Sequence, residues 1–184
     1  MGAAKQHPVN AMDQKYINRA LLFAAQHFNT SCHNTGKPVY LHSLRVAQHA
    51  AALGCDDFTL VCAVFHDLLE DTACPEEEIA AAFGAETAAC VKALTFDADI
   101  PDKLYKNRLS IDACADFGPA ALIIKCLDTM DNMDYFALAS EKDRDYLLKK
   151  YDYLRTVCAA HIPHEAAYAA YKAKLNTLLQ GVDA

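Results

Sequence analysis

The chain has 184 residues, 53% of them hydrophobic and 22% charged, with 17 Lys plus Arg against 24 Asp plus Glu. That length and apolar content fit one domain, residues 1–184, with a core of its own. The net charge of −7 excludes a general binder of nucleic-acid polymers or anionic membranes. Six Gly and six Pro argue against a sandwich or barrel and for helices.

The periodicity is helical nearly throughout. Ile17, Leu21, Leu22, Ala25 and Phe28 recur at three- and four-residue spacing and predict a helix over 12–29. Residues 29–38, rich in Asn, Thr, Ser and Gly, form the strongest loop signal of the N-terminal half. A second helix is expected over 39–53, closed by Gly54 at its C-cap. Asp56 can cap a third to about Asp71, whose interior run from Leu60 to Phe65 is apolar all round and therefore central. Pro75 followed by three Glu starts a short helix that ends at Phe83-Gly84, and another runs to about Leu94. Further helices are expected over 104–117 (stopped by Gly118-Pro119), 120–139, 141–160 and 163–180. The outcome is one all-α domain.

The eight Cys form no CxxC pair and no tight cluster, which describes reduced, mostly buried residues of a cytoplasmic protein. Residues 1–6 carry neither the apolar run of a leader nor the Ser or Thr of an acylation motif, so neither is expected. No apolar stretch approaches the roughly 20 residues a membrane span needs.

The segment His66-Asp67-Leu68-Leu69-Glu70-Asp71-Thr72 stands out. On a continuous helix, 66 stacks on 70 and 67 on 71, which puts four ionisable groups on one patch of an otherwise apolar element. Burying them unpartnered would cost several kcal/mol per charge, so a metal ion or a solvent-filled cleft is the natural explanation. Further candidates come from elsewhere in the chain. His42 lies among core-facing positions of the second helix, and Asp128, with Asn132 one turn later, follows the apolar run of residues 122–124. Two imidazoles and two carboxylates would form a mixed N/O site suited to Mn, Fe, Zn or a similar divalent ion. An acidic chain acting on an anionic substrate also needs local cations, for which Arg45, Lys103, Lys106, Arg108 and Lys125 are the candidates.

A His, then a His-Asp pair, then a distant Asp, all on helices, resembles the metal site of the HD-domain phosphohydrolases. The finer resemblance is to the hydrolase domain of the RelA/SpoT family and its single-domain small alarmone hydrolases. It is carried by Gly36-Lys37-Pro38 ahead of His42, Val46-Ala47, residues 66–72, Phe83-Gly84, residues 91–95, and residues 125–133. Lys103-Leu104 and Arg108-Leu109 add to it, and the likeness covers about 15–160, with helices over 141–180 completing the bundle.

The resemblance implies an HD-domain helical bundle of eight to nine helices around a metal site. It implies that His42, His66, Asp67 and Asp128 bind the metal, commonly Mn²⁺ (Mg, Fe, Zn or another divalent ion being alternatives). Glu70 and Asp71 would position or deprotonate the attacking water, and Asn132 would hold the substrate. The implied reaction is hydrolysis of the 3′-pyrophosphate of guanosine 3′,5′-bispyrophosphate, with a small anionic nucleotide as partner. His33-Asn34 stands where the family usually has Arg-Lys against the nucleotide, Thr129 stands where Arg is usual, and Asp131 where His is common. These departures keep two alternatives open: an HD phosphohydrolase for NADPH or a nucleoside phosphate, and a non-catalytic nucleotide-binding helical module. Oligomeric state is not legible in the sequence.

Overall fold

The computed structural model describes residues 12–29 and 39–182. Among them every regular element is helical: α1 (Gln14–Phe28), α2 (Val39–Ala52), α3 (Asp57–Phe65), α4 (Leu68–Asp71), α5 (Glu76–Phe83), α6 (Ala85–Leu94), α7 (Lys103–Phe117), α8 (Pro119–Met133), a 3₁₀ turn (Phe136–Leu138), α9 (Glu141–His161) and α10 (Ala166–Val182). The predicted loop over 29–38, with His33-Asn34 and Gly36-Lys37-Pro38, lies outside the described residues except for Asn29.

Local chemistry sets most boundaries. Side-chain oxygens of Asp13, Asp56, Asp102 and Ser140 accept backbone N–H groups in the first turns of α1, α3, α7 and α9. Each satisfies donors that a helix start leaves unpaired. Gly54 closes α2 at a φ of +74°, a left-handed conformation that costs glycine little.

At two places the elements differ from the sequence expectation, and both border the site. The third helix does not continue to Asp71. It stops at Phe65, and Asp67 takes φ −99°, ψ 1°, before the single turn of α4 begins. The helix expected over 120–139 stops at Met133, and the following 3₁₀ turn tucks Phe136 into the core 6.4 Å from the Tyr151 ring.

The packing surrounds α3, whose residues from Thr59 to Phe65 are all buried. Helix α2 packs against both α3 and α8, and α1 packs on α3 as well. Helices α7, α9 and α10 close the bundle around α8, where Leu122, Ile124, Cys126 and Leu127 meet Tyr151, Leu154 and Tyr171. Seven cysteines among the described residues are free, six of them buried as small core residues.

Candidate metal centre

Three helical segments deliver the ionisable groups to one point. His42 comes from the first turn of α2, His66 and Asp67 from the break between α3 and α4, and Asp128 from the C-terminal half of α8. The break matters geometrically. On a continuous helix, neighbouring side chains diverge by about 100°. Here Asp67 Oδ1 lies 3.2 Å from His66 Nε2, so adjacent residues serve one site.

Each imidazole has its outer nitrogen committed. His42 Nδ1 lies 2.6 Å from Asp131 Oδ2, a carboxylate that only accepts, so Nδ1 carries the proton. His66 Nδ1 likewise donates to the Ala63 carbonyl at 2.8 Å. Both inner nitrogens therefore face inward, 3.2 Å apart. Around them stand Asp128 Oδ1, 3.1 Å from His42 Nε2 and 3.9 Å from His66 Nε2, and Asp67 Oδ2, 3.6 Å from His42 Nε2. Two imidazole lone pairs converging among carboxylates repel unless a cation lies between them. This donor set fits a divalent ion, and His42, His66 and Asp128 offer three ligand atoms mutually close enough to share one.

The electrostatics express the same demand for positive charge. Burial disfavours protonated His66, yet Asp67 and Asp128 outweigh it and raise the imidazole to about 9. Burial also opposes ionisation of Asp128, but the His42 hydrogen bond and the Lys125 charge hold its carboxyl well below the usual range. Lys125 is buried 3.7 Å from Asp128 and donates to the Leu94 carbonyl at 3.2 Å. Burial alone would favour its neutral amine; the Asp128 charge keeps its pKa above the ordinary value instead.

Behind His42, Arg45 of α2 and Asp131 of α8 hold its outer nitrogen in place. Asp131 accepts a fork from Arg45, Nε at 2.6 Å and Nη2 at 2.8 Å, and Arg45 also reaches the Tyr135 hydroxyl at 3.3 Å. Burial works against the Asp131 charge, but Arg45 and His42 together hold its carboxyl down at about 2. An ionised carboxylate thus fixes the His42 tautomer and ring orientation.

The centre opens into a pocket of about 210 Å³. Glu70, Asp71, Lys125 and Asn132 line it, together with His42, Asp67 and Asp128. Burial pushes Glu70 up to about 7 against the pull of Lys125, and its Oε1 accepts the Phe96 N–H at 3.0 Å. Asn132 donates to Asp128 Oδ1 at 2.6 Å, which ties it to the centre as well as to the pocket.

The remaining expected cations separate. Arg45 spends its guanidinium on Asp131 and is not among the pocket-lining residues. Arg108 is exposed over the Tyr153 ring at 5.0 Å, and Lys103 pairs with Asp143; neither lines the pocket. Lys106 stands over the ring of pocket-lining Phe96 at 4.5 Å, a place at the rim. Asn107 and Lys150 line the pocket without having been expected. Lys150 lies on the stripe of Tyr151, Leu154 and Cys158 that α9 buries, a signal that was present in the periodicity.

Residues 20–108 match the family model described as HD domain. The stretch that supplies His42, His66 and Asp67 is similar to an HD domain. The match ends before Asp128, which α8 adds from outside the matched stretch. The chain is 33% identical over 137 residues to the guanosine-3′,5′-bis(diphosphate) 3′-pyrophosphohydrolase of Aquifex aeolicus, covering 73% of this chain and 20% of that protein. It is 26% identical over 162 residues to a GTP pyrophosphokinase of Myxococcus xanthus, covering 88% of this chain and again 20% of the relative. The chain therefore spans about a fifth of the length of these curated relatives. Among solved structures, a metazoan SpoT ortholog described as hydrolysing ppGpp superposes with a TM-score of 0.72 at 22% identity, over 93% of this chain and 97% of that one. A Listeria monocytogenes protein superposes with a TM-score of 0.65 at 20% identity, over 78% and 99%. These likenesses show that the all-α bundle is the HD-domain fold.

Proposed function

We propose that this chain is a metal-dependent pyrophosphohydrolase that removes the 3′-pyrophosphate of guanosine 3′,5′-bispyrophosphates. The observation that carries the reading is the convergence of His42 and His66 Nε2, 3.2 Å apart, on Asp67 and Asp128 at a pocket that also holds Glu70 and Lys125. The 33% identity to a protein named for that reaction supplies the substrate class.

In this reading His42, His66, Asp67 and Asp128 hold the ion, which we assign as Mn²⁺. When bound, such an ion acidifies water and offsets charge on the phosphoryl oxygens. Glu70, already drawn towards neutral pH by burial, takes the proton from the attacking water, with Asp71 beside it to orient that water. The bond between O3′ and its phosphorus breaks, the water oxygen enters the departing pyrophosphate, and O3′ takes up a proton. Lys125 holds a positive charge against the leaving group, and Asn132 and Lys150 face the nucleotide from the pocket wall. One domain over 1–184, acting in the cytoplasm on a small nucleotide, completes the proposal. Among the described residues no helix is long and apolar enough to cross a membrane.

A second reading, hydrolysis of another nucleotide such as NADPH, is favoured by one observation. Thr129, at the position where the family resemblance expects Arg, is fully buried and presents no charge to the pocket. Purified protein with Mn²⁺ and either guanosine tetraphosphate or NADPH decides between them. Pyrophosphate from the first substrate is the expected product; orthophosphate from NADPH with none from the first would replace the proposal by the second reading.

A further inference from the structure

Away from this centre, a second trio of metal-ligating side chains meets where α1 ends and α5 begins. His27 is in the last turn of α1, Cys74 in the connection after α4, and Glu78 in the first turn of α5. One ligand atom from each lies within 4.8 Å of the other two. His27 Nε2 and Glu78 Oε1 are 3.3 Å apart.

Those separations suit zinc. With Zn–N and Zn–O bonds of about 2.0–2.1 Å, neighbouring N and O ligands of a tetrahedron stand about 3.3 Å apart, and the longer Zn–S bond widens an S–N edge to about 3.6 Å. The imidazole–carboxylate edge already has that length. The thiol needs to move by roughly 1 Å at most, within a small χ1 adjustment. The frame around it is firm: the Cys74 N–H donates to Thr72 Oγ1 at 3.0 Å, and Thr72 Oγ1 donates to the Leu68 carbonyl at 2.6 Å. The Phe23 ring packs against the His27 imidazole at 4.6 Å.

Exposure is graded across the trio, from buried Cys74 through His27 to Glu78, whose side chain is 49% exposed. An ion can therefore enter from solvent and keep a water as its fourth ligand. The thiol makes only a weak contact of its own, to the Pro75 carbonyl at 3.7 Å.

We propose that His27, Cys74 and Glu78 bind a zinc ion that clasps the end of α1 to the start of α5. Loading breaks the Cys74 S–H bond, forms the Zn–S bond and releases the proton to solvent; nothing is oxidised or reduced. Burial and the Glu78 charge hold the unloaded thiol up at about 11, so that proton is present to be released. Sulfur also separates the two sites by metal preference. The N/O centre suits Mn²⁺, whereas a thiolate ligand selects Zn²⁺.

Cobalt reads this site directly, because only a thiolate ligand gives an intense sulfur-to-cobalt charge-transfer band in the near ultraviolet. The chelator-stripped protein titrated with Co²⁺ is expected to bind two equivalents, one of them with that band. Cys74→Ser should lose the band and one equivalent while its hydrolysis and its metal-free circular dichroism stay unchanged. Glu78→Gln, a change at an exposed side chain, should weaken the band-forming equivalent at least tenfold. His42→Ala should keep the band and lose the other equivalent. Titration with no such band, or a band that survives both Cys74→Ser and Glu78→Gln, overturns the proposal.

Discussion

The metal centre and the cationic stretch of α7 are both built from ionisable residues, with opposite results. At the centre, His42, His66 and Asp128 are buried on helices whose other faces are core, so their positions are dictated by packing. Along α7, Lys103, Lys106 and Arg108 lie at or near the surface and settle onto whatever is close: Asp143, the Phe96 ring and the Tyr153 ring. A buried polar group has few places to go and a large penalty for missing them, whereas an exposed one has many equivalent choices. Convergence is therefore evidence of a site at the centre, and lack of convergence is unremarkable at the rim.

Mutations should reproduce that gradient. Asp67→Ala is expected to abolish hydrolysis, a loss beyond the ~10⁴-fold ceiling of a single acid–base catalyst, and to lower bound Mn²⁺ measured by elemental analysis. Activity and metal content equal to the unmodified protein would erase the difference between the two regions.

Glu70→Gln is expected to reduce kcat by about 10²–10⁴-fold while metal content is retained. A general base works deprotonated, so kcat/KM should rise with pH along an acid limb whose midpoint lies at or below about 7. That limb should vanish in the variant; if it persists unaltered, another group is the base.

Asp131→Asn leaves the shape but removes the charge that orients His42. Metal affinity should fall by about 10–100-fold, read by competition with a chelator, with Arg45→Ala producing a smaller effect in the same direction. If Arg45→Ala instead raises KM without touching metal affinity, Arg45 belongs with the substrate cations rather than behind the metal.

The smallest effect is expected at the rim. Arg108→Ala should change kcat/KM by less than about twofold, the range of a surface substitution away from any special feature. A tenfold rise in KM would show that the rim closes on the nucleotide after all.

Much of the fold was legible because helical periodicity, caps and glycine stops are local. Asp56 caps where a short polar residue preceding an apolar run should, and α5 begins at the three glutamates after Pro75. The four candidate ligands were legible too, since an ionisable group on an apolar helix advertises its need for a partner. What escaped was relational. Nothing local says that α3 breaks at His66, because residues 66–71 have no glycine or proline to stop a helix. Nothing in the sequence separated Arg45 from the other cations; its neighbourhood with Asp131 needs α2 to lie against α8. Lys150 was readable in principle from the stripe it shares with Tyr151 and Leu154, but a lysine beside a second lysine suggests solvent first.

Length, composition and charge by themselves determined an acidic, helical protein with no apolar stretch long enough to span a membrane, and local pattern placed most of its helices and nominated candidate metal-ligating side chains. Only the tertiary structure decided which of those groups meet. It brought two imidazole nitrogens to 3.2 Å, turned Asp67 onto the same point through a helix break, and set Asp131 and Arg45 behind His42. The reason is physical: periodicity reports which face of a helix avoids water, while the distance between two such faces is set by the packing of every helix between them.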